Sequence, residues 1–264
     1  MRKENVALKF KNPPINELVI GVYFDPPLGP LQAEHVGVFW SQMRKEFSTI
    51  TQQVEIAPPI IASGIQISFE AYPMPRYWLI SKDEVMLLQI QKNAFLLNWR
   101  KREQKYPHFD EVKAHFDRHF DSFRAFMKSE FGIDDLPIRI AELTYTNLML
   151  EGDVWTGIPD VGHILPGISV PDLGMAALQE PDINYVTAYR FASDLSVNFT
   201  VKTARNAMDL TKKALIFEFR SVGVLESSDR AGADDWYRRA HETIGQCFTA
   251  ATSNDIRQSV WQPE

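Results

Sequence analysis

Two hydrophobic periods alternate along the chain, and the switches between them mark the elements. NELVIGVYFD (16–25) is apolar at both odd and even positions, which predicts a central strand, and PPLGP (26–30) breaks it. Val36, Phe39, Trp40, Met43, Phe47 and Ile50 then recur three or four apart, so a helix is expected over about 31–50, closed by APP at 57–59. At GIQISFEAY the period becomes two, with Ile65, Ile67 and Phe69 set against Gln66, Ser68 and Glu70. RYWLIS (76–81), VMLLQI (85–90) and AFLLNW (94–99) follow across short polar turns, and the four runs predict an antiparallel meander. Next, Phe109, Val112, Phe116, Phe120, Phe123 and Met127 fall on one stripe of a helix over 109–131, and Gly132 stands where a helix stops.

The second half repeats this order. PIRIAELTYTNLML (137–150) reads as a long strand. It leads into an irregular stretch, 151–174, with five Gly and three Pro, and MAALQ (175–179) reads as a helical turn. Strands return at 184–191, 195–203 and 213–223. In the middle one Leu195, Val197, Phe199 and Val201 oppose Ser196, Asn198, Thr200 and Lys202, which implies one wet sheet face. Trp236, Ala240, Ile244, Cys247 and Ala251 place a last helix at 233–252. The pattern β-α-β-β-β-β-α followed by β-(loop or short helix)-β-β-β-α predicts an α+β fold of two degenerate repeats, 1–132 and 133–264. Each unit would be an antiparallel sheet with its long helix on one face, and Ala-His near the start of both long helices (KAHFDRHF, RAHETIGQCF) is a faint echo between them. The element order resembles the TATA-box-binding-protein-like fold and, more loosely, helix-grip folds, which offer a sheet face or the gap beneath a helix as a binding surface.

Composition narrows the function classes. The 264 residues are 45% hydrophobic and 12% aromatic, enough for a substantial core. Residues 1–132 hold 17 Lys and Arg against 15 Asp and Glu, and 133–264 hold 11 against 19, a balance that disfavours a general nucleic-acid binder. Cys247 is the one cysteine, so a disulfide framework or a cysteine zinc site is not expected and a reducing cytoplasm fits. The N-terminus carries charge without an apolar signal core, and no run is long enough to span a membrane. Glycine-rich phosphate loops, dinucleotide fingerprints and a nucleophile elbow are absent, so no cofactor is expected.

Three places remain for chemistry. PHFDEVKAHFDRHF (107–120) puts His115 and His119 four apart on the flank of the Phe stripe, with Glu111 one turn earlier and His108 ahead of the helix. Such a pair can chelate zinc or nickel, giving a metal set of Glu111, His115 and His119, although Phe116 stands where a metalloprotease helix carries its catalytic Glu. The alternative is that these histidines line the edge of the helix–sheet interface. Trp99, Arg100, Arg102, Tyr106 and His108 form a basic and aromatic segment able to clamp an acidic or nucleotide group, or simply to solvate a sheet end. In the Gly/Pro stretch, Trp155 and His163 suit a ligand lid or partner anchor, or Trp155 closes the bottom of a core.

PPINELVIGVYF, PRYWLISKDEVMLLQIQKNAFLLNWR with the following YPHF, and AHETIGQCFTAATSNDIRQSVW together resemble a sporadically distributed family of uncharacterised prokaryotic proteins. That resemblance implies a bacterial cytoplasmic origin and no established activity. The expectation is a non-catalytic binding protein whose partner is another protein, with a small-molecule ligand as a further option. An antitoxin-, immunity- or defence-associated accessory role follows from the family's distribution alone. A metal-dependent enzyme and a single-stranded nucleic-acid binder are the alternatives.

Overall fold

The computed structural model describes residues 9–57, 74–152, 154–171, 181–206, 209–225 and 230–264. Among the described residues nine strands form one antiparallel sheet in the order β2-β3-β4-β5-β1-β6-β9-β8-β7. The strands are β1 Ile15–Phe24, β2 Thr49–Gln53, β3 Arg76–Ile80, β4 Met86–Gln91, β5 Ala94–Arg100, β6 Ile138–Leu150, β7 Asn184–Ala192, β8 Leu195–Asn206 and β9 Asp209–Val224. The helices are α1 Ala33–Met43, α2 Phe109–Phe131, the short α3 Val161–Ile164, α4 Arg230–Ala251 and the terminal turn α5 Asn254–Ile256. The strands of the two units run together in one sheet, because β1 and β6 pair antiparallel from Ile15–Asn147 to Phe24–Ile138.

One face of the sheet carries the helices. Leu18, Ile20 and Val22 of β1, Phe95 and Leu97 of β5, and Leu143 of β6 point to that side and are fully buried. α2 packs on β1 and β5, and α4 packs on β6, β8 and β9. The Phe stripe of α2 seats the helix as its spacing predicts. Phe123 meets Phe95 at 5.1 Å, Phe24 at 6.3 Å and Phe39 of α1 at 5.5 Å between ring centroids. Each ring removed from water stabilises the fold by about 2–3 kcal/mol. Gly132 ends α2 at φ 69°, where a side chain would be strained, and its N–H donates to Lys128 O.

Gly223 of β9 seats α4. A Cβ there would stand 2.0 Å from Asp194 O and 2.3 Å from Trp236 Nε1, so only a bare backbone lets the indole N–H reach Asp194 O at 2.9 Å. Tyr237 on the next position donates to Gly21 O of β1 at 2.7 Å, tying the last long helix to the first strand.

The other face is polar around a small apolar patch of Tyr23, Ala94, Leu96 and Ile140. Glu142, nearly buried, accepts from Tyr23 Oη (2.8 Å), Arg220 Nη2 (2.7 Å) and Thr144 Oγ1 (2.9 Å). Gln89, Asn98 and Glu17 run as a second hydrogen-bonded row, with Arg76 on Gln89. The wet face expected from β8 is this one.

One expected boundary is corrected. The helix placed at 31–50 ends at Met43, and Ile50 lies in β2 opposite Leu79 of β3. Phe47 is buried after the turn, and its carbonyl accepts from Trp40 Nε1 at 2.8 Å, so two members of the expected stripe meet across a bend. The β-branched run Thr49-Ile50-Thr51 favours a strand there. The strand expected at 64–72 and the turn at 175–179 lie outside the described residues. Among the described residues no helix is long and apolar enough to cross a membrane.

Candidate functional site

A pocket of about 120 Å³ opens between the N-terminus of α2, the middle of α4 and the sheet. Five pieces of chain meet there: Tyr106 to Asp110, Tyr145 and Asn147 of β6, Phe219 of β9, His241 to Phe248 of α4, and Lys9 to Ile15. The last piece is held by the C-terminal residues, since Lys11 N–H donates to Gln262 O and Glu264 N–H to Lys9 O. Its walls are mostly apolar, with Phe10, Phe109, Phe219, Ile244 and Phe248 contributing.

The polar groups in this wall form a chain. Tyr145 Oη lies 2.8 Å from His241 Nδ1 and 3.4 Å from Tyr106 Oη. Phe109 stacks on the His241 ring at 4.3 Å and 7° between planes. Burial lowers the His241 pKa to about 4, with Asp110 and Glu242 pulling weakly the other way, so the ring is neutral at pH 7. Burial likewise holds the Tyr145 and Tyr106 phenols well above the ordinary tyrosine range, so both keep their protons. Asn147 is buried, and its Nδ2 donates to Phe217 O at 3.1 Å while Oδ1 has no partner among the described residues. An unsatisfied buried acceptor costs about 1–3 kcal/mol, and Asn147 is one of the residues that line the pocket.

His108 also lines the pocket, from a backbone at φ 71°, ψ 162°, a region occupied essentially by glycine. Its Nε2 lies 3.7 Å from Glu264 Oε1.

The second group of interest lies two turns along α2. Glu46, just after α1, comes within reach of His115 and His119, and the ligand atoms of the three lie within 4.8 Å of one another. Arg118 stands among them, bonded through Nη1 and Nη2 to Glu46 at 3.0 and 2.7 Å. His119 is 2% exposed and packs edge-on against Phe47. Burial lowers its pKa to about 4, opposed by Glu46 and assisted by Arg118 and His115. Glu46 is in turn held below the ordinary carboxylate range by the Arg118 hydrogen bond and by His119, which outweigh its own burial.

The residues singled out by sequence therefore separate. Tyr106 and His108 reach the pocket; Trp99 is buried behind Tyr106 at 5.3 Å, ring to ring. Arg102 pairs with Glu84 at 3.3 Å in solvent, away from the pocket lining. Arg100, at the end of β5 opposite Glu17, holds buried Nε and Nη2 atoms without partners among the described residues. Trp155 is 1% exposed, packs in the core and donates to Met149 O at 3.4 Å. His163 points to solvent 3.8 Å from Asp160. Cys247 is half-buried, and burial raises its thiol to about 11. His115 and His119 do come together, but with Glu46 and not with the exposed Glu111. His241, Tyr145, Asn147 and Glu46 were not anticipated. For Asn147 a signal existed: it is the polar member of the inward series Ala141, Leu143, Tyr145, Asn147, Met149. No protein-family model and no curated protein matches the chain.

Proposed function

We propose that this is a non-catalytic cytoplasmic binding protein that holds a small, mainly apolar or aromatic ligand in the pocket between α2, α4 and the sheet. The observation that carries the reading is the mostly apolar pocket itself, walled by Phe10, Phe109, Phe219, Ile244 and Phe248, with the buried amide of Asn147 among its few polar members. The volume suits a single ring, since cavities of ~150 Å³ hold benzene. Acid–base work is disfavoured because His241 titrates near 4 and the two phenols far above neutrality, so none is poised near pH 7.

Titration of the full chain with indole, read by ligand-observed NMR and calorimetry, tests this. One saturable site is expected. Asn147→Leu should weaken it about tenfold, and Ile244→Trp should abolish it by filling the cavity. Lack of saturable binding by indole and phenol to the folded protein at solubility-limited concentration would overturn the reading.

A protein partner is the second reading, and β7 favours it. This edge strand exposes Val186, Tyr189 and Phe191, 65%, 48% and 53% accessible. Capture of a partner by wild type and its loss in Val186→Lys would support that reading. The polar sheet face suits a polyanion less well, because Glu17, Glu142 and Glu218 stand among its arginines.

The duplication belongs to the same proposal. From the central β1–β6 seam, each side runs outward through its last strand, β5 or β9, to its earlier ones, and each half ends in a long helix on the same face. This supports two repeats related about the seam, in the manner of the TATA-box-binding-protein-like fold. Superposition of 15–131 on 138–251 with strands in matching order supports it; failure of the sheets to overlay removes it.

A further inference from the structure

We propose that Glu46, His115 and His119 form a binding site for a divalent transition metal of the zinc or nickel class, with the Arg118 guanidinium as the competing cation. Arg118 Nη2 lies 2.7 Å from Glu46 Oε1, 3.1 Å from His119 Nε2 and 3.3 Å from His115 Nδ1. Three atoms of ligand type therefore face one point, and a positive charge stands at it. Two imidazoles and one carboxylate are the set that borderline divalent ions prefer.

The rearrangement needed is small. A tetrahedral ion bound at about 2.1 Å sets its ligand atoms roughly 3.4 Å apart, and the three here already lie within 4.8 Å of one another. His119 is the fixed ligand, buried and wedged against Phe47. Glu46 and His115 are partly exposed and free to close the remaining distance. The Arg118 side chain is 54% exposed, so the guanidinium can swing into water when an ion enters. Arg118 is planar and monovalent. A divalent ion concentrates twice the charge at the same point and takes all three lone pairs directly, whereas the guanidinium shares its N–H groups among them. The ion would also join α1 to α2, because Glu46 follows the first helix and both histidines lie on the second. With open coordination positions toward solvent, the site is independent of the pocket and of any ligand held there.

The test is calorimetry of Ni(II) and, separately, Zn(II) into the full, tag-free chain after chelator treatment, with thermal unfolding in parallel. One equivalent is expected to bind, raising Tm by about 5 °C at a hundredfold excess over Kd. His115→Gln, a change at a partly exposed position, should weaken binding at least tenfold with the fold intact by circular dichroism. Arg118→Gln should tighten binding about tenfold by removing the competitor. Absence of saturable binding by wild type at millimolar metal, or binding that ignores His115→Gln, would overturn the site. An Arg118→Gln protein that binds no more tightly than wild type would overturn the competition. Indole binding in the pocket is unaffected by either variant, so failure here and failure of the ligand reading are told apart.

Discussion

At the N-terminal end of α2, His241 lies flat on Phe109 and makes a close polar contact with the neutral Tyr145. Two turns on, His119 is buried against Phe47, yet its ring nitrogen looks onto Arg118 and Glu46. Both histidines are driven neutral by burial, to about 4, but their surroundings differ in kind. Beside His241 the chain leaves a mostly apolar pocket; beside His119 it places a cation, the Arg118 guanidinium. A histidine therefore reports a site only through what tertiary neighbours supply, and its own spacing along the helix does not separate the two cases.

If the contrast holds, the pocket end carries much more stability than the charged cluster. Phe109→Ala should cost about 3 kcal/mol in urea unfolding, because the ring is buried and supports His241. A cost below 1 kcal/mol would break the contrast at its strongest point. Acid should weaken the same end. The folded His241 pKa, about 4, is below the ordinary 6.5, so the unfolded chain binds more protons between these values and stability falls as pH drops through that window. The share from His241 is about 3 kcal/mol, and His241→Leu should flatten the pH 6.5-to-4 slope by roughly that amount. His108→Gly should add about 1 kcal/mol by relieving a positive φ, while weakening indole binding through loss of the ring. At the cluster, Glu46→Gln should change stability by less than about 1 kcal/mol, since the Arg118 pair is largely solvated.

Much of the fold was legible in the sequence. The Phe stripe and Gly132 define α2 from Phe109 to Phe131, and period-two runs mark β3 to β9 within a few residues. β2 was not legible, because Phe47 and Ile50 continue a helical spacing by coincidence while the chain turns between them. The site was legible only in part. Tyr106 and His108 sit beside α2 in sequence, but Tyr145 and His241 meet across 96 positions, and Glu46 and Arg118 across 72. Local periodicity reports which face a side chain takes, and it has no access to which distant face comes to meet it. Glu111 has the right spacing for the histidines but is exposed and not among the clustered ligand atoms, whereas Glu46 reaches them from another element.

The central seam bears on how the chain is made. β1 is complete once residue 24 has emerged, but its partner β6 begins at Ile138, and Tyr237 seals the carbonyl of Gly21 only after more than two hundred residues. Until β6 has been made, the edge of β1 that it covers has no partner strand, although β5 on the other side precedes it in the chain. An open edge of this length is a template for pairing with a neighbouring nascent chain. A slow stretch placed just before Ile138 should lengthen the interval in which β1 lacks β6 and raise the fraction lost to aggregation, measured as the soluble yield of the full chain.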